Sequence, residues 1–198
     1  MDELKPKIMQ VIKDQNGNHV VQMVIKLVPR LCIPFILDSF RGQVDQLSAH
    51  NYGCRVVQRM LEYGTDEERK ELMDELHAHA SILITDQFGN YVTQHIIAQG
   101  NTEDRNRMIT LVIDNLVALC KHKFASNVVE KCIEHGTTEE RQTIMRQLLA
   151  MGPDGTSLLQ SMIRDQFGNY VIREYPATDD NSVVTCANLH SQNASLNV

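Results

Sequence analysis

The chain has 198 residues, with 19 Lys and Arg against 25 Asp and Glu, for a formal net charge of −6. An apolar fraction of 42% and a charged fraction of 22% describe a folded chain rather than a disordered one. No run of about eighteen apolar residues occurs, which excludes a membrane-spanning helix, and the acidic balance on its own argues against a polyanion-binding protein.

The N-terminus, Met1-Asp2-Glu3-Leu4-Lys5-Pro6-Lys7, has no apolar stretch of signal-peptide length. From there the chain repeats itself. Gly17-Asn18-His19-Val20-Val21-Gln22 is followed by Gly53-Cys54-Arg55-Val56-Val57-Gln58, Gly89-Asn90-Tyr91-Val92-Thr93-Gln94 and Ala125-Ser126-Asn127-Val128-Val129-Glu130. Their second residues, at 18, 54, 90 and 126, lie 36 apart. A fifth copy, Gly168-Asn169-Tyr170-Val171-Ile172-Arg173, comes 43 residues after the fourth. The seven extra residues fall in Met151-Gly152-Pro153-Asp154-Gly155-Thr156-Ser157, a loop composition.

A second landmark keeps the period: Gly64-Thr65, Gly100-Asn101 and Gly136-Thr137. Each Gly stands where a helix C-cap is expected, and the residue after it can cap the next helix. Thr65 with Glu68 and Thr137 with Glu140 have capping-box spacing, and Asn101 with Asp104 is a weaker version. The first unit has Pro29 here, which a helix start tolerates. Each unit therefore reads as three helices. The units are expected near 4–39, 40–75, 76–111, 112–150 and 158–175, the last incomplete. Pro176 falls where the last central helix should continue, and 176–198, rich in Ser, Asn and Thr, reads as a divergent, disordered tail. A helical unit of this size cannot bury its apolar face alone, so the expected fold is all-α, an α-solenoid. No sustained alternation of period two supports strands.

Within each central helix, Asn18, Cys54, Asn90, Ser126 and Asn169 are taken as position 0. Positions +2 and +3 then hold Val20/Val21, Val56/Val57, Val128/Val129 and Val171/Ile172, and +6 and +7 hold Val24/Ile25, Met60/Leu61, Ile96/Ile97 and Cys132/Ile133. That stripe is the expected core face. Positions 0 and +4 are one turn apart and off the stripe: Asn18/Gln22, Cys54/Gln58, Asn90/Gln94, Ser126/Glu130 and Asn169/Arg173. Position +1 is planar in all five units: His19, Arg55, Tyr91, Asn127 and Tyr170. A solvated face is the bland alternative, but it does not account for that regularity. Hydrogen-bonding pairs interleaved with stacking plates suit the edges and faces of single-stranded nucleic acid.

Other chemistry is not expected. The five cysteines include no C-x-x-C pair and are odd in number, which speaks against a disulfide framework or zinc site. His77-Ala78-His79 reads as polar residues near a helix end, so no metal or cofactor is expected. The sequon Asn193-Ala194-Ser195 matters only after secretion, and a reduced, cytoplasmic setting fits the cysteines better. No Ser-His-Asp constellation or phosphate-cradling glycine loop points to an enzyme.

The segments Asp14-Gln15-Asn16-Gly17-Asn18-His19-Val20-Val21-Gln22, Tyr52-Gly53-Cys54-Arg55-Val56-Val57-Gln58, Asp86-Gln87-Phe88-Gly89-Asn90-Tyr91-Val92 and His122-Lys123-Phe124-Ala125-Ser126-Asn127-Val128-Val129-Glu130-Lys131-Cys132 closely resemble Pumilio (PUF) repeats. The resemblance covers about residues 4 to 174. It implies a crescent whose middle helices line a concave RNA-binding face, one base per repeat. A full family domain has about eight repeats, and these look like the last five. Three N-terminal repeats and a C-terminal cap would then be missing, and a truncated product prone to self-association is expected.

The resemblance further implies that Asn18/Gln22 and Asn90/Gln94 select uracil, Cys54/Gln58 adenine and Ser126/Glu130 guanine, the acceptor-only carboxylate suiting guanine's two donors. His19, Arg55, Tyr91, Asn127 and Tyr170 would stack on or between bases. Arg173 departs from the pattern. As a pure donor it cannot accept from uracil N3–H, and cytosine suits it at least as well. With RNA antiparallel to the protein, the implied readout is 5′-(U)-G-U-A-U-3′, resembling sites in messenger RNA 3′ untranslated regions. The implied role is control of messenger RNA translation and decay, with deadenylase or translational-repressor proteins as partners. The alternative is a protein-interaction solenoid that has lost useful RNA affinity. Acid concentrated in third-helix segments such as Asp66-Glu67-Glu68 would leave the binding face less negative than the whole chain.

Overall fold

The computed structural model describes residues 3–153 and 155–173. Among them are fourteen α-helices: α1 (Ile8–Ile12), α2 (Gly17–Leu27), α3 (Pro34–Asp38), α4 (Val44–Ser48), α5 (Gly53–Tyr63), α6 (Asp66–Ala78), α7 (Ala80–Thr85), α8 (Gly89–Gln99), α9 (Thr102–Asp114), α10 (Leu116–Leu119), α11 (Ala125–His135), α12 (Thr138–Leu149), α13 (Leu158–Ile163) and α14 (Gly168–Arg173). No strand occurs among the described residues beyond an isolated bridge between Met151 and Ser157. The all-α solenoid expected from the repeat is the fold found. The proposed tail, Pro176, Cys186, the sequon and the side chain of Arg173 lie outside the described residues.

The middle helices α2, α5, α8, α11 and α14 pack side by side in chain order, each on the next. The short first helices α1, α4, α7, α10 and α13 pack beneath them, and the third helices α6, α9 and α12 continue the stack on the far side. Val56, Val57, Met60, Ile96, Ile97, Val128, Val129 and Cys132 are all within 2% of full burial, so the stripe at +2, +3, +6 and +7 is the inter-unit core. Each such Val or Ile contributes roughly 1.5–3 kcal/mol by leaving water.

The first unit breaks the pattern twice. Val20, assigned to the core, is 57% exposed, and Met23, Leu27 and Leu31 stand out beside it. In later units the same face is covered by the preceding middle helix, and among the described residues none precedes α2. The third helix is also discontinuous. Pro29 leads only into a 3-10 turn, Arg30–Cys32, and Pro34 then starts α3, because Pro lacks the N–H that would join the two segments.

The third helices start as the spacing requires. Thr65/Glu68 and Thr137/Glu140 form reciprocal capping boxes, and Asn101 caps α9 by accepting from the Asp104 N–H at 2.8 Å. Ser157 and Gln160 add a capping box at the start of α13, inside the stretch read as loop. Gly64, Gly100 and Gly136 do end their middle helices, but in extended rather than left-handed conformation, with φ between −66° and −68°. They are glycine for space: an added Cβ would lie 2.4–2.5 Å from the carbonyl oxygens of Met60, Ile96 and Cys132. The same helix ends are tied down by arginines of the third helices. Arg69 donates to Leu61 O and Gly64 O at 2.9 and 3.1 Å, and Arg105 donates to Ile97 O and Gly100 O at 2.7 and 3.0 Å.

Candidate nucleic-acid interface

Position 0 is buried beneath the exposed row. Asn18, Cys54, Asn90 and Ser126 are all at least 95% buried, forming the floor of the row. The turn before each middle helix brings main-chain carbonyls against that floor. Asn18 Nδ2 donates to Asp14 O at 3.0 Å and Gln15 O at 2.8 Å, and Asn90 Nδ2 donates to Asp86 O and Gln87 O, both at 2.8 Å. Asn169 Nδ2 reaches Asp165 O at 2.8 Å. In both Asn18 and Asn90 the amide donors are therefore committed to the backbone.

That commitment orients the next residue. With Nδ2 held by carbonyls, Asn Oδ1 faces outward and can only accept. Gln22 Nε2 donates to Asn18 Oδ1 at 2.9 Å, and Gln94 Nε2 donates to Asn90 Oδ1 at 2.8 Å. Each glutamine is left with one N–H and its Oε1 to present, in a fixed order. Cys54 supplies no such oxygen. Its thiol donates to Asn51 O at 3.3 Å, and Gln58 Nε2 is buried without a hydrogen-bond partner. Gln58 is thus the one amide of the three whose two ends are not assigned by a neighbour. Burial pushes the Cys54 thiol pKa up, so it stays protonated and hydrogen-bonding rather than reactive. Ser126 and half-buried Glu130 occupy the equivalent places in α11.

Position +1 points to solvent throughout: His19, Arg55, Tyr91, Asn127 and Tyr170 are exposed. The Arg55 guanidinium lies over the Tyr91 ring at 5.2 Å, so the plates of neighbouring units meet directly. An open depression of about 310 Å³, lined by His19, Gln22, Met23, Lys26 and Arg59, adjoins the first of them. Three cations of the middle helices are already engaged. Arg59 pairs with Glu62, Lys131 pairs with Glu134, and Lys26 sits 5.9 Å from the centre of the Tyr63 ring.

A further row lies four residues before position 0, and the sequence reading did not single it out. Asp14 Oδ1 accepts the Asn16 and Gly17 N–H groups at 2.9 and 2.7 Å. Asp86 Oδ1 accepts from Phe88 and Gly89, and Asp165 Oδ1 accepts from Phe167 and Gly168, at 2.7–2.9 Å. In the other two units the acceptor is imidazole. His50 Nδ1 takes Tyr52 and Gly53 at 3.2 Å, and His122 Nδ1 takes Phe124 and Ala125 at 3.2 and 3.3 Å. The 36-residue period was the signal that could have found these residues, since 14, 50, 86 and 122 keep it.

A model of the Pumilio-family RNA binding repeat matches residues 7–22, 43–77, 79–113, 115–149 and 160–173. The chain belongs to the Pumilio family. Every residue at positions 0, +1 and +4 lies within a matched segment. This Pumilio-family chain is 37% identical over 78 residues to Pumilio homology domain family member 4 of Saccharomyces cerevisiae, covering 39% of this chain and 9% of that protein. Fem-3 mRNA-binding factor 2 of Caenorhabditis elegans is 36% identical over 58 residues, 28% of this chain and 9% of the relative. Among solved structures, the Puf3 RNA binding domain bound to a Cox17 RNA 3′ UTR recognition sequence matches with a TM-score of 0.86 at 38% identity, over 96% of this chain and 60% of that one. PUF-8 in complex with PBE-RNA matches at 0.85 and 33% identity, over 95% and 55%. The chain thus spans 55–60% of these solved domains and 9% of the two curated relatives.

Proposed function

We propose that this chain binds single-stranded RNA sequence-specifically, reading bases with the +4 residues while the +1 residues stack. The observation that carries the reading is the state of the three glutamines. Where Asn stands at position 0, Gln22 and Gln94 are held with Nε2 inward, leaving Oε1 for uracil N3–H and the second N–H for a uracil carbonyl. Where Cys54 stands, the unpartnered Gln58 amide can turn to give adenine N1 a donor and adenine N6–H an acceptor. Glu130, with no donor of its own when ionised, suits guanine N1–H and N2–H, with Ser126 beside it. The readout is 5′-(U)-G-U-A-U-3′, the first base being set by Asn169 and Arg173.

Messenger RNA 3′ untranslated regions are the proposed targets, and control of translation and stability in the cytoplasm the proposed role, with deadenylase or repressor proteins as partners. The named ligand of the Puf3 domain, a 3′ UTR recognition sequence, supports this reading. No catalytic role is proposed. The exposed apolar row of Val20, Met23, Leu27 and Leu31 favours a second reading, a protein-interaction solenoid. Titration separates them. UGUAU-containing RNA should bind more tightly than the same RNA with UGU changed to ACA, by at least tenfold at roughly 1–3 kcal/mol per misread base. Equal affinity for both would sink the RNA reading.

A further inference from the structure

The row at position −4 fixes the first turn of each middle helix, the turn that carries both the floor residue and the stacking plate. A carboxylate can do this at any pH at which it is ionised. An imidazole Nδ1 accepts a hydrogen bond only when neutral with its proton on Nε2, and imidazolium has no acceptor. Three units of the reading face therefore have a permanent anchor and two a conditional one. The conditional anchors, His50 and His122, belong to the two units whose floor residue is not Asn. In the Asn units the floor side chain also donates to the carbonyl of the −4 residue, a second tie across the same turn.

We propose that His50 and His122 are positioning residues of the reading face, which hold the Cys54/Gln58 and Ser126/Glu130 units in register only as neutral imidazoles, so that acid releases the adenine and guanine contacts while the Asp-anchored units keep theirs. The inference rests on the RNA reading above. Protonation withdraws the acceptor from two N–H groups and places a cation where the helix already carries partial positive charge.

Charged groups and rings surround both imidazoles. His50 is faced by Lys13 from the turn after α1 and by the Tyr52 ring at 6.0 Å, while Arg55 and Asp86 bear on the adjoining Cys54. His122 is flanked by Lys121 and Lys123 and by the Phe124 ring at 6.0 Å, and Lys121 in turn bears on Asp165 of the next unit. Burial, then Lys13, holds the His50 imidazole below its ordinary 6.5. A depressed histidine stabilises the fold at neutral pH. That contribution drains as pH falls below 6.5, because the unfolded chain takes the proton first, and it is gone once His50 itself is protonated. Asp14 and Asp165 are held below the ordinary 3.8 by the N–H groups of Gly17 and Asn16, and of Gly168 and Phe167. Their contribution is present above 3.8 and lost only as pH falls through their folded values. Between these two windows the His50 anchor lets go while those of Asp14 and Asp165 hold. His77 and His95, also pushed down by burial, add acid sensitivity elsewhere, so overall stability is not the readout.

The test compares the full chain with His50→Asp, His122→Asp and the double variant, each importing the acceptor native to the other units. His50→Asn, a non-titrating acceptor, serves if an aspartate variant misfolds. In RNA-free protein, the Gly53 and Ala125 amide signals should move with pH through the histidine range and stop doing so in the variants. In binding titrations at about pH 7.5 and about pH 5.5, the wild-type chain should lose roughly tenfold affinity for UGUAU RNA. The penalties for replacing the A and the G should shrink in acid, and those for replacing the two uracils read by Gln22 and Gln94 should not. The double variant should keep its affinity. An equal acid loss in the double variant, or amides indifferent to pH, overturns the proposal. Absence of RNA binding at every pH would instead fail the RNA reading, and the amide titration would still decide the anchoring.

Discussion

The sharpest consequence of the glutamine row is what Cys54→Asn should do. An asparagine there meets the same pair of carbonyl acceptors that hold Asn18 and Asn90 in their units at 2.8–3.0 Å. Its Oδ1 would then accept from Gln58 Nε2, which is at present without a partner. The gain is up to three bonds at about 0.5–1.5 kcal/mol each, set against the loss of the thiol bond to Asn51 O and the cost of burying an amide, so stability should change by no more than about 1 kcal/mol. Specificity should change far more. Gln58 would be fixed with Nε2 inward, the arrangement assigned to uracil, and a base-edge pair is worth roughly 1–3 kcal/mol of discrimination, or about 5- to 150-fold. Fluorescence anisotropy with UGUAU and UGUUU RNAs reads this directly. The wild-type chain should prefer the first and Cys54→Asn the second. A variant that folds normally and still prefers adenine would refute the argument that the floor residue sets the order of the glutamine amide.

Other substitutions probe separate parts of the design. Glu130→Gln replaces an acceptor-only group with one that also donates, and should cost about tenfold for guanine with the other positions unchanged in a single-base RNA panel. Gly100→Ala forces a Cβ to 2.4 Å from Ile96 O at an otherwise ordinary φ, so thermal unfolding should show a loss of about 1–3 kcal/mol of purely steric origin. Arg105→Met removes two bonds to the end of α8, at 2.7 and 3.0 Å, and should lower stability by about 1–3 kcal/mol without altering base discrimination. The slope of log affinity against log salt should be shallower than about −3, at about 0.7 per phosphate on a single strand, and Arg55→Gln should reduce it by roughly one contact.

The fold was legible because a repeat writes its core several times over. Position +2 is valine in all five units, and the capping boxes at Thr65 and Thr137 are local devices that need no tertiary knowledge. Val20 shows where that logic stops. Its pattern is that of a core residue, but burial also needs a neighbour on the right side, and periodicity carries no information about neighbours. The glycines were legible by place and not by cause. A helix-ending glycine suggests a left-handed residue, whereas the close approach of Ile96 O to Gly100 is visible only in three dimensions. The candidate site divides in the same way. The residue types at 0, +1 and +4 stood out by repetition, yet what Asn18 has left to offer depends on two carbonyls that only the folded turn brings to it. The −4 row was visible as a period and silent as chemistry until its acceptor geometry was known.

Net charge is unevenly distributed over the three helices of a unit. Acidic residues gather in the first turns of α6, α9 and α12, where Asp66, Glu67, Glu68, Glu103, Asp104, Glu139 and Glu140 favour the helix N-termini. Of the cations on the middle helices, Arg59 and Lys131 are paired and Arg55 rests on Tyr91. On the RNA reading, a base that stacks on Tyr91 needs about 3.5 Å of clearance on each face, roughly 7 Å between plates. Arg55 at 5.2 Å leaves no such slot. A base that stacks on that face of Tyr91 displaces the guanidinium, whose long stem lets it turn toward the backbone the base belongs to. One event would then open the stacking site and free a cation for phosphate. On that reading recognition depends chiefly on base faces and edges, and a net charge of −6 does not by itself oppose it.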